Sequence, residues 1–147
     1  MADDRLTPTV HACAVVLGRF GVLIEGASGS GKSRLADALI EAAHQKNQFA
    51  RWVADDRVVI SGEGSRCTAS APPVIAGQAE HAFLGIVDTP HLESAKIDLV
   101  VRLLPSDPLE RMPFTTESRY GLPLLFVPQR ALSVSVPLVQ ARLRQIG

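Results

Sequence analysis

The sequence predicts a mixed α/β fold, many strands around one well-formed helix, and three observations predict it. Val22-Leu23-Ile24 is a short apolar, β-branched run that leads straight into a glycine-rich loop and then into helical periodicity. The four-residue turn Gly18-Arg19-Phe20-Gly21 is too short to hold a crossover helix, so the strand before it and the strand after it form a hairpin. Beyond the first helix, β-prone runs recur between glycine and proline breakers, without the regular βαβαβ alternation of a doubly wound sheet.

In chain order, residues 9–17 read as the first strand and Val22-Leu23-Ile24 as the second. Leu35, Ala36, Leu39, Ile40 and Ala43 then recur at helical spacing, with Asp37 and Glu41 on another face, to about His44. Trp52-Val53-Ala54 and Val58-Val59-Ile60 are two more strands, separated by Asp55-Asp56-Arg57, and Gly62-Glu63-Gly64 marks a turn. Ala71-Pro72-Pro73 breaks regular structure. Gly85-Ile86-Val87-Asp88 and residues 97–104 are further strand candidates. Six prolines, from Pro105 to Pro137, punctuate the last third, where Leu138 to Ile146 is the predicted helix.

A chain of 147 residues suffices for one core, so residues 1–147 are expected to form a single domain. Fifteen basic and fifteen acidic residues balance to zero, with no like-charge block, which speaks against a nucleic-acid surface. The aromatic share of 5% speaks against a base-stacking platform as well. The two cysteines, Cys13 and Cys67, lack metal-ligand spacing and read as thiols of a reduced compartment. The acidic N-terminal stretch has no signal-type apolar core, and no uncharged apolar run approaches a membrane span. A cytoplasmic location without membrane contact is the expectation.

Gly26-Ala27-Ser28-Gly29-Ser30-Gly31-Lys32-Ser33 fits the pattern G-x-x-x-x-G-K-[ST] at all eight positions. Glycines let backbone N–H groups turn inward around an anion, and the helix that follows points its positive end at the same place. Lys32 is placed to reach the outer phosphates of a nucleotide, and the Ser33 hydroxyl to take a site on magnesium.

Three further features resemble the HPr kinase/phosphorylase family, specifically its catalytic domain. His11 opens the strand pair before the loop, Val53-Ala54-Asp55-Asp56 follows the loop's helix, and Ile75-Ala76-Gly77, Glu80 and Leu84-Gly85-Ile86 resemble the family's signature segment. The resemblance covers residues 9–88 best. It implies a phosphoenolpyruvate-carboxykinase-like fold and a serine kinase using ATP and Mg2+ on a small phosphocarrier protein of the HPr type. It also implies the reverse reaction, phosphorolysis of phosphoserine to pyrophosphate, and assembly as a homo-oligomer, a hexamer in the family.

By this resemblance Asp55 is the carboxylate that accepts the serine proton, with His11 and Asp56 beside it, and Lys32 and the loop hold the transferring group. Ser33 and Glu80 would share the magnesium. The family's longer members carry a separate N-terminal domain, and this chain resembles the short forms. Taken singly, Asp55-Asp56 also suits a solvated turn, His11 a strand end, and Glu80 an ordinary surface glutamate.

The sequence departs from the signature where its arginine and glycine fall on Ala82 and Phe83, removing a bidentate anion partner that alanine cannot replace. Arg102 and Arg111, further along, are the candidates to compensate. Other readings compete. Ile86-Val87-Asp88-Thr89-Pro90 resembles a GTPase segment, but the chain has no Asn-Lys-x-Asp motif. A small-molecule kinase would need an arginine lid, for which Arg111, Arg119 and Arg130 are available. An ATP-binding regulatory sensor without turnover would suit the loss at Ala82 and Phe83.

Overall fold

A computed structural model of the chain describes residues 9–72, 91–105 and 118–147. A six-stranded sheet occupies the middle, with two helices on one face and a four-stranded sheet on the other. In chain order the strands are β1 (Thr9–Val10), β2 (Ala12–Leu17), β3 (Phe20–Gly26), β4 (Ala50–Ala54), β5 (Val58–Ser61), β6 (Thr68–Ser70), β7 (Ser94–Lys96), β8 (Leu99–Leu104), β9 (Ser118–Arg119) and β10 (Leu122–Pro128). Helix α1 spans Lys32–Gln45 and α2 spans Leu132–Ile146.

The large sheet runs β4-β2-β3-β8-β10-β9, and the small one β1-β5-β6-β7. β2 and β3 form the hairpin that the Gly18–Gly21 turn requires, pairing Leu17 with Phe20 and Ala12 with Glu25. β3, β8 and β10 are mutually parallel, which makes the sheet mixed. Every residue of β2 is buried, because both faces of the sheet are covered. Period two sorts them: Cys13, Val15 and Leu17 meet the helices, while Ala12, Ala14 and Val16 meet the small sheet. α1 buries Leu35, Ala36, Leu39 and Ala43 against the first face, the stripe that its periodicity predicts.

Gly21 locks the layers together. Its N–H donates to Asp98 Oδ2 at 2.9 Å, and its carbonyl accepts from the Asp98 N–H at 2.8 Å. A Cβ at this position would lie 1.9 Å from the Lys96 carbonyl oxygen, so glycine alone admits the approach of β7.

Several elements differ from the sequence reading. Residues 9–17 are two strands in different sheets, broken at His11. The short polar strands β6 and β7 lack the apolar alternation that reveals a strand, because they lie in the outer layer. β10 carries Pro123 and Pro128 and still pairs with β8, because Pro123 faces the two-residue edge strand β9 and Pro128 closes the ladder. α2 begins at Leu132, not Leu138, and holds Pro137 in its interior. It is kept by a buried stripe at i, i+4 and i+8, Ser135, Val139 and Leu143, and by the Ser135 hydroxyl donating to the Pro128 carbonyl at 2.7 Å. The strand candidate at 85–88 lies outside the described residues. Among those that are described, no helix is long and apolar enough to cross a membrane.

Candidate functional site

Strand direction gathers the site. β3, β8 and β10 run parallel, so their C-terminal ends open on one edge of the sheet, where ligands of such sheets bind. β4 is antiparallel to β2 and so runs with β3, delivering Asp55 and Asp56 to that edge. β2 starts there, with His11 and Cys13. A register shift between Ala14 and Val15 leaves Val53 as the extra residue of β4. Bulges of this kind re-aim the end of a strand beside a site.

The loop from Gly26 to Ser33 leaves β3 and enters α1 through Gly31, which caps the helix in the left-handed region at φ 98°. A residue with a Cβ is strained there, and the loop leaves room for none at Gly26, where a Cβ would approach Ser30 Oγ to 2.8 Å. The Ser30 N–H donates to the Ala27 carbonyl at 3.0 Å, closing the turn that includes Ser28. The buried Ser30 hydroxyl has no protein partner among the described residues. The Lys32 ammonium is folded over the loop onto the Gly26 and Ala27 carbonyls at 3.0 and 3.2 Å. A glycine-rich loop at a helix N-terminus, with an orphaned hydroxyl and one lysine, fits a polyphosphate.

Asp55 closes on this loop from across β2. Its Oδ1 accepts from Ser33 Oγ at 2.7 Å and from Cys13 Sγ at 3.2 Å, and the two donors stand 3.7 Å apart. Burial pushes the Cys13 thiol up from 9.0 to about 11, so it stays protonated and donates. His11 sits beside Asp56, Nδ1 to Oδ1 4.0 Å, with the two side chains 69% and 75% exposed. His11 therefore accompanies the second aspartate and not Asp55, because the break between β1 and β2 turns it outward. Asp56 takes a left-handed backbone, φ 75°, while its carbonyl accepts the Ala12 N–H at 3.2 Å.

On the opposite face, Glu25 immediately precedes the loop. Its carboxylate takes two hydrogen bonds from Arg102, at 2.8 and 2.6 Å, and one from Arg119 at 3.4 Å. Arg102 lies over the Phe126 ring and Arg119 over Tyr120. Arg130 Nη2 donates to the Gly29 carbonyl at 3.1 Å, tying the turn after β10 to the loop.

The loop, Asp55, Asp56 and His11 thus share one edge, with Asp55 in direct contact with the loop. Glu80, Ala82, Phe83, Asp88 and Arg111 lie outside the described residues. Ser33 and Asp55 offer hard oxygens 2.7 Å apart, a donor pair suited to magnesium. Among the described residues no group of three metal-ligating side chains gathers. Sequence reasoning missed Cys13, Glu25 and the loop contact of Arg130. Cys13 was legible in principle, since period two places it on the helix face with the loop. Glu25 and Arg130 depend on partners 77 and 101 residues away, which no local pattern reveals.

The family described as HPr Serine kinase C-terminal domain matches residues 4–122. An HPr kinase/phosphorylase of Lactobacillus johnsonii is 29% identical over 99% of this chain and 50% of its own length. That of Brevibacillus brevis is 30% identical over 99% of this chain and 52% of its own. One from Clostridium tetani is 39% identical over 61% of this chain and 28% of its own. The chain thus spans at most about half the length of these curated relatives. A solved structure from Coxiella burnetii, titled as an Hpr(Ser) kinase/phosphatase, superposes with a TM-score of 0.63 at 25% identity, covering 94% of this chain and 89% of that one. Its mixed α/β architecture is the one found here. With its family match spanning most of the sequence and its fold shared with that solved structure, the chain belongs to the HPr serine kinase C-terminal domain family.

Proposed function

We propose that this chain is a Mg- and ATP-dependent serine kinase acting on a small phosphocarrier protein of the HPr type, and that it also runs the reverse phosphorolysis. The observation that carries this reading is Asp55 hydrogen-bonded to Ser33, the last residue of the phosphate loop. A carboxylate held against the last residue of the loop supports a role as the base for a hydroxyl attacking the terminal phosphate. A GTPase-like switch leaves this carboxylate pair without a role, and the relatives are named as kinases.

The loop amides and Lys32 hold the transferring phosphoryl group, Lys32 exchanging the Gly26 and Ala27 carbonyls for phosphate oxygens. Asp55 Oδ1 is occupied by Ser33 and Cys13, so Oδ2 is the atom that takes the proton as the serine oxygen bonds to the γ-phosphorus and the bond from that phosphorus to the bridging oxygen breaks, ADP leaving. In reverse, inorganic phosphate gives its proton to Asp55 as its oxygen bonds to the phosphoserine phosphorus. The bond from that phosphorus to the serine oxygen breaks, pyrophosphate leaves, and Asp55 passes the proton to the serine oxygen. Magnesium, held by Ser33 with Asp55 behind it and by Glu80, would neutralise charge on the phosphates. His11 and Asp56, exposed at the same edge, would face the protein substrate. The chain acts in the cytoplasm, as a homo-oligomer.

The test is intact-protein mass spectrometry of an HPr protein incubated with this chain, ATP and magnesium. One phosphoserine that forms with the wild type and vanishes with Lys32→Ala supports the reading. Tight ATP binding with no phosphoserine would sink it in favour of a non-catalytic sensor.

A further inference from the structure

A cavity of about 440 Å³ opens against the phosphate loop, between the start of α1 and the turn joining β10 to α2. Gly29 and Gly31 form its edge on the loop side, Leu35, Leu103 and Pro128 line it, and Leu132 closes the far side. Arg34 and Arg130 flank it, and among the described residues no carboxylate lines it. The Ser135 hydroxyl at its base is already spent on the Pro128 carbonyl. Leu132 remains 39% exposed, a large apolar side chain at the first position of a helix. Arg130 adopts a left-handed backbone, φ 56°, which bulky residues rarely take, and its guanidinium reaches the Gly29 carbonyl. Strain of that kind is spent on bringing the β10–α2 turn up to the loop.

We infer that this cavity is the base subsite of the nucleotide, taking the purine between Leu132 and the Arg34 and Arg130 guanidiniums while the phosphates lie in the loop. The inference rests on the nucleotide reading of that loop. Size agrees, since small-ligand pockets of a few hundred Å³ take a base and its ribose. Chemistry agrees as well: an apolar floor and planar cations suit the faces of an electron-rich heteroaromatic ring. A second cavity, of about 470 Å³, also carries basic residues, but it lies at the Gly18 turn and the C-terminal ends of both helices. That is the edge opposite the loop, beyond reach of a base attached to phosphates held there.

The experiment is calorimetric titration of the wild type, Leu132→Glu and Leu132→Ala with Mg-ATP and, separately, with inorganic tripolyphosphate, which carries a similar charge and no base. Leu132 is exposed, so both variants keep the fold, and circular dichroism checks this. The expected result is a loss of ATP affinity of about tenfold or more for Leu132→Glu and a few-fold for Leu132→Ala, with tripolyphosphate affinity changed by less than about twofold. Unchanged ATP affinity in both variants overturns the subsite and leaves the nucleotide reading standing. Equal losses for ATP and tripolyphosphate overturn it also, since the loop itself would then be disturbed. A wild type that binds neither ligand removes the nucleotide reading and the subsite together.

Discussion

Replacing Asp55 with asparagine separates what this residue does for the fold from what it does for the chemistry. Asparagine keeps the size and one acceptor oxygen, so Ser33 Oγ and Cys13 Sγ still find a partner at 2.7 and 3.2 Å. Only the charge on those two hydrogen bonds is lost. Bonds to a charged group contribute about 1.5–3 kcal/mol and neutral ones about 0.5–1.5, and a thiol is a weak donor, so the cost in stability is about 1–2 kcal/mol. For a domain of this size that lowers the melting temperature by roughly 3–8 °C. The chemical cost is larger. A positioned general base contributes about 10²–10⁴-fold to proton transfer, or roughly 2.7–5.4 kcal/mol of barrier. The assay is a quenched-flow time course of phosphoserine formation read by mass spectrometry at saturating ATP, with ATP affinity measured separately. The expected Asp55→Asn chain folds, binds ATP within a few-fold of wild type, and transfers phosphate about a hundredfold slower or worse. Transfer within tenfold of wild type would refute the reasoning, for the carboxylate would then be only a tether for Ser33.

Other predictions test the frame around the site. Glu25→Gln leaves Arg102 and Arg119 without their carboxylate; because both guanidiniums are partly solvated, the expected loss is about 1–3 kcal/mol by urea denaturation, and no loss would refute the clamp. The Cys13 thiol is raised by burial to about 11, so folding favours its protonated form; that stability is complete below pH 9 and lost as the pH rises toward 11. The difference between wild type and Cys13→Ala should therefore change by roughly 2–3 kcal/mol across that window, and a flat difference would argue against a buried neutral thiol. Gly21→Ala drives a Cβ to 1.9 Å from the Lys96 carbonyl oxygen and should cost about 3 kcal/mol or more, whereas a variant of wild-type stability would contradict the close approach of β7.

The loop, its helix and the hairpin before it were legible because each is a local device. Eight consecutive residues make the glycine loop, and Leu35, Ala36, Leu39 and Ala43 announce a single buried face. Asp55 and His11 were singled out through the family resemblance, but their contacts were not legible. The contact of His11 with Asp56 and of Asp55 with Cys13 and Ser33 follows from sheet register and from the extra residue at Val53. The six residues by which α2 exceeds its reading show the limit of proline as a stop signal. A stripe of buried contacts at Ser135, Val139 and Leu143 outweighs one missing hydrogen bond.

By itself the sequence determined a strand, a glycine-spaced loop and a helix in that order, because the eight residues that set the loop are contiguous. Tertiary structure alone decided what Asp55 meets at that loop, Ser33 and Cys13. Three parallel strands and an antiparallel hairpin had to bring residues 13, 33 and 55 to one edge, and such a meeting depends on pairing register across the sheet, which no short stretch of chain encodes.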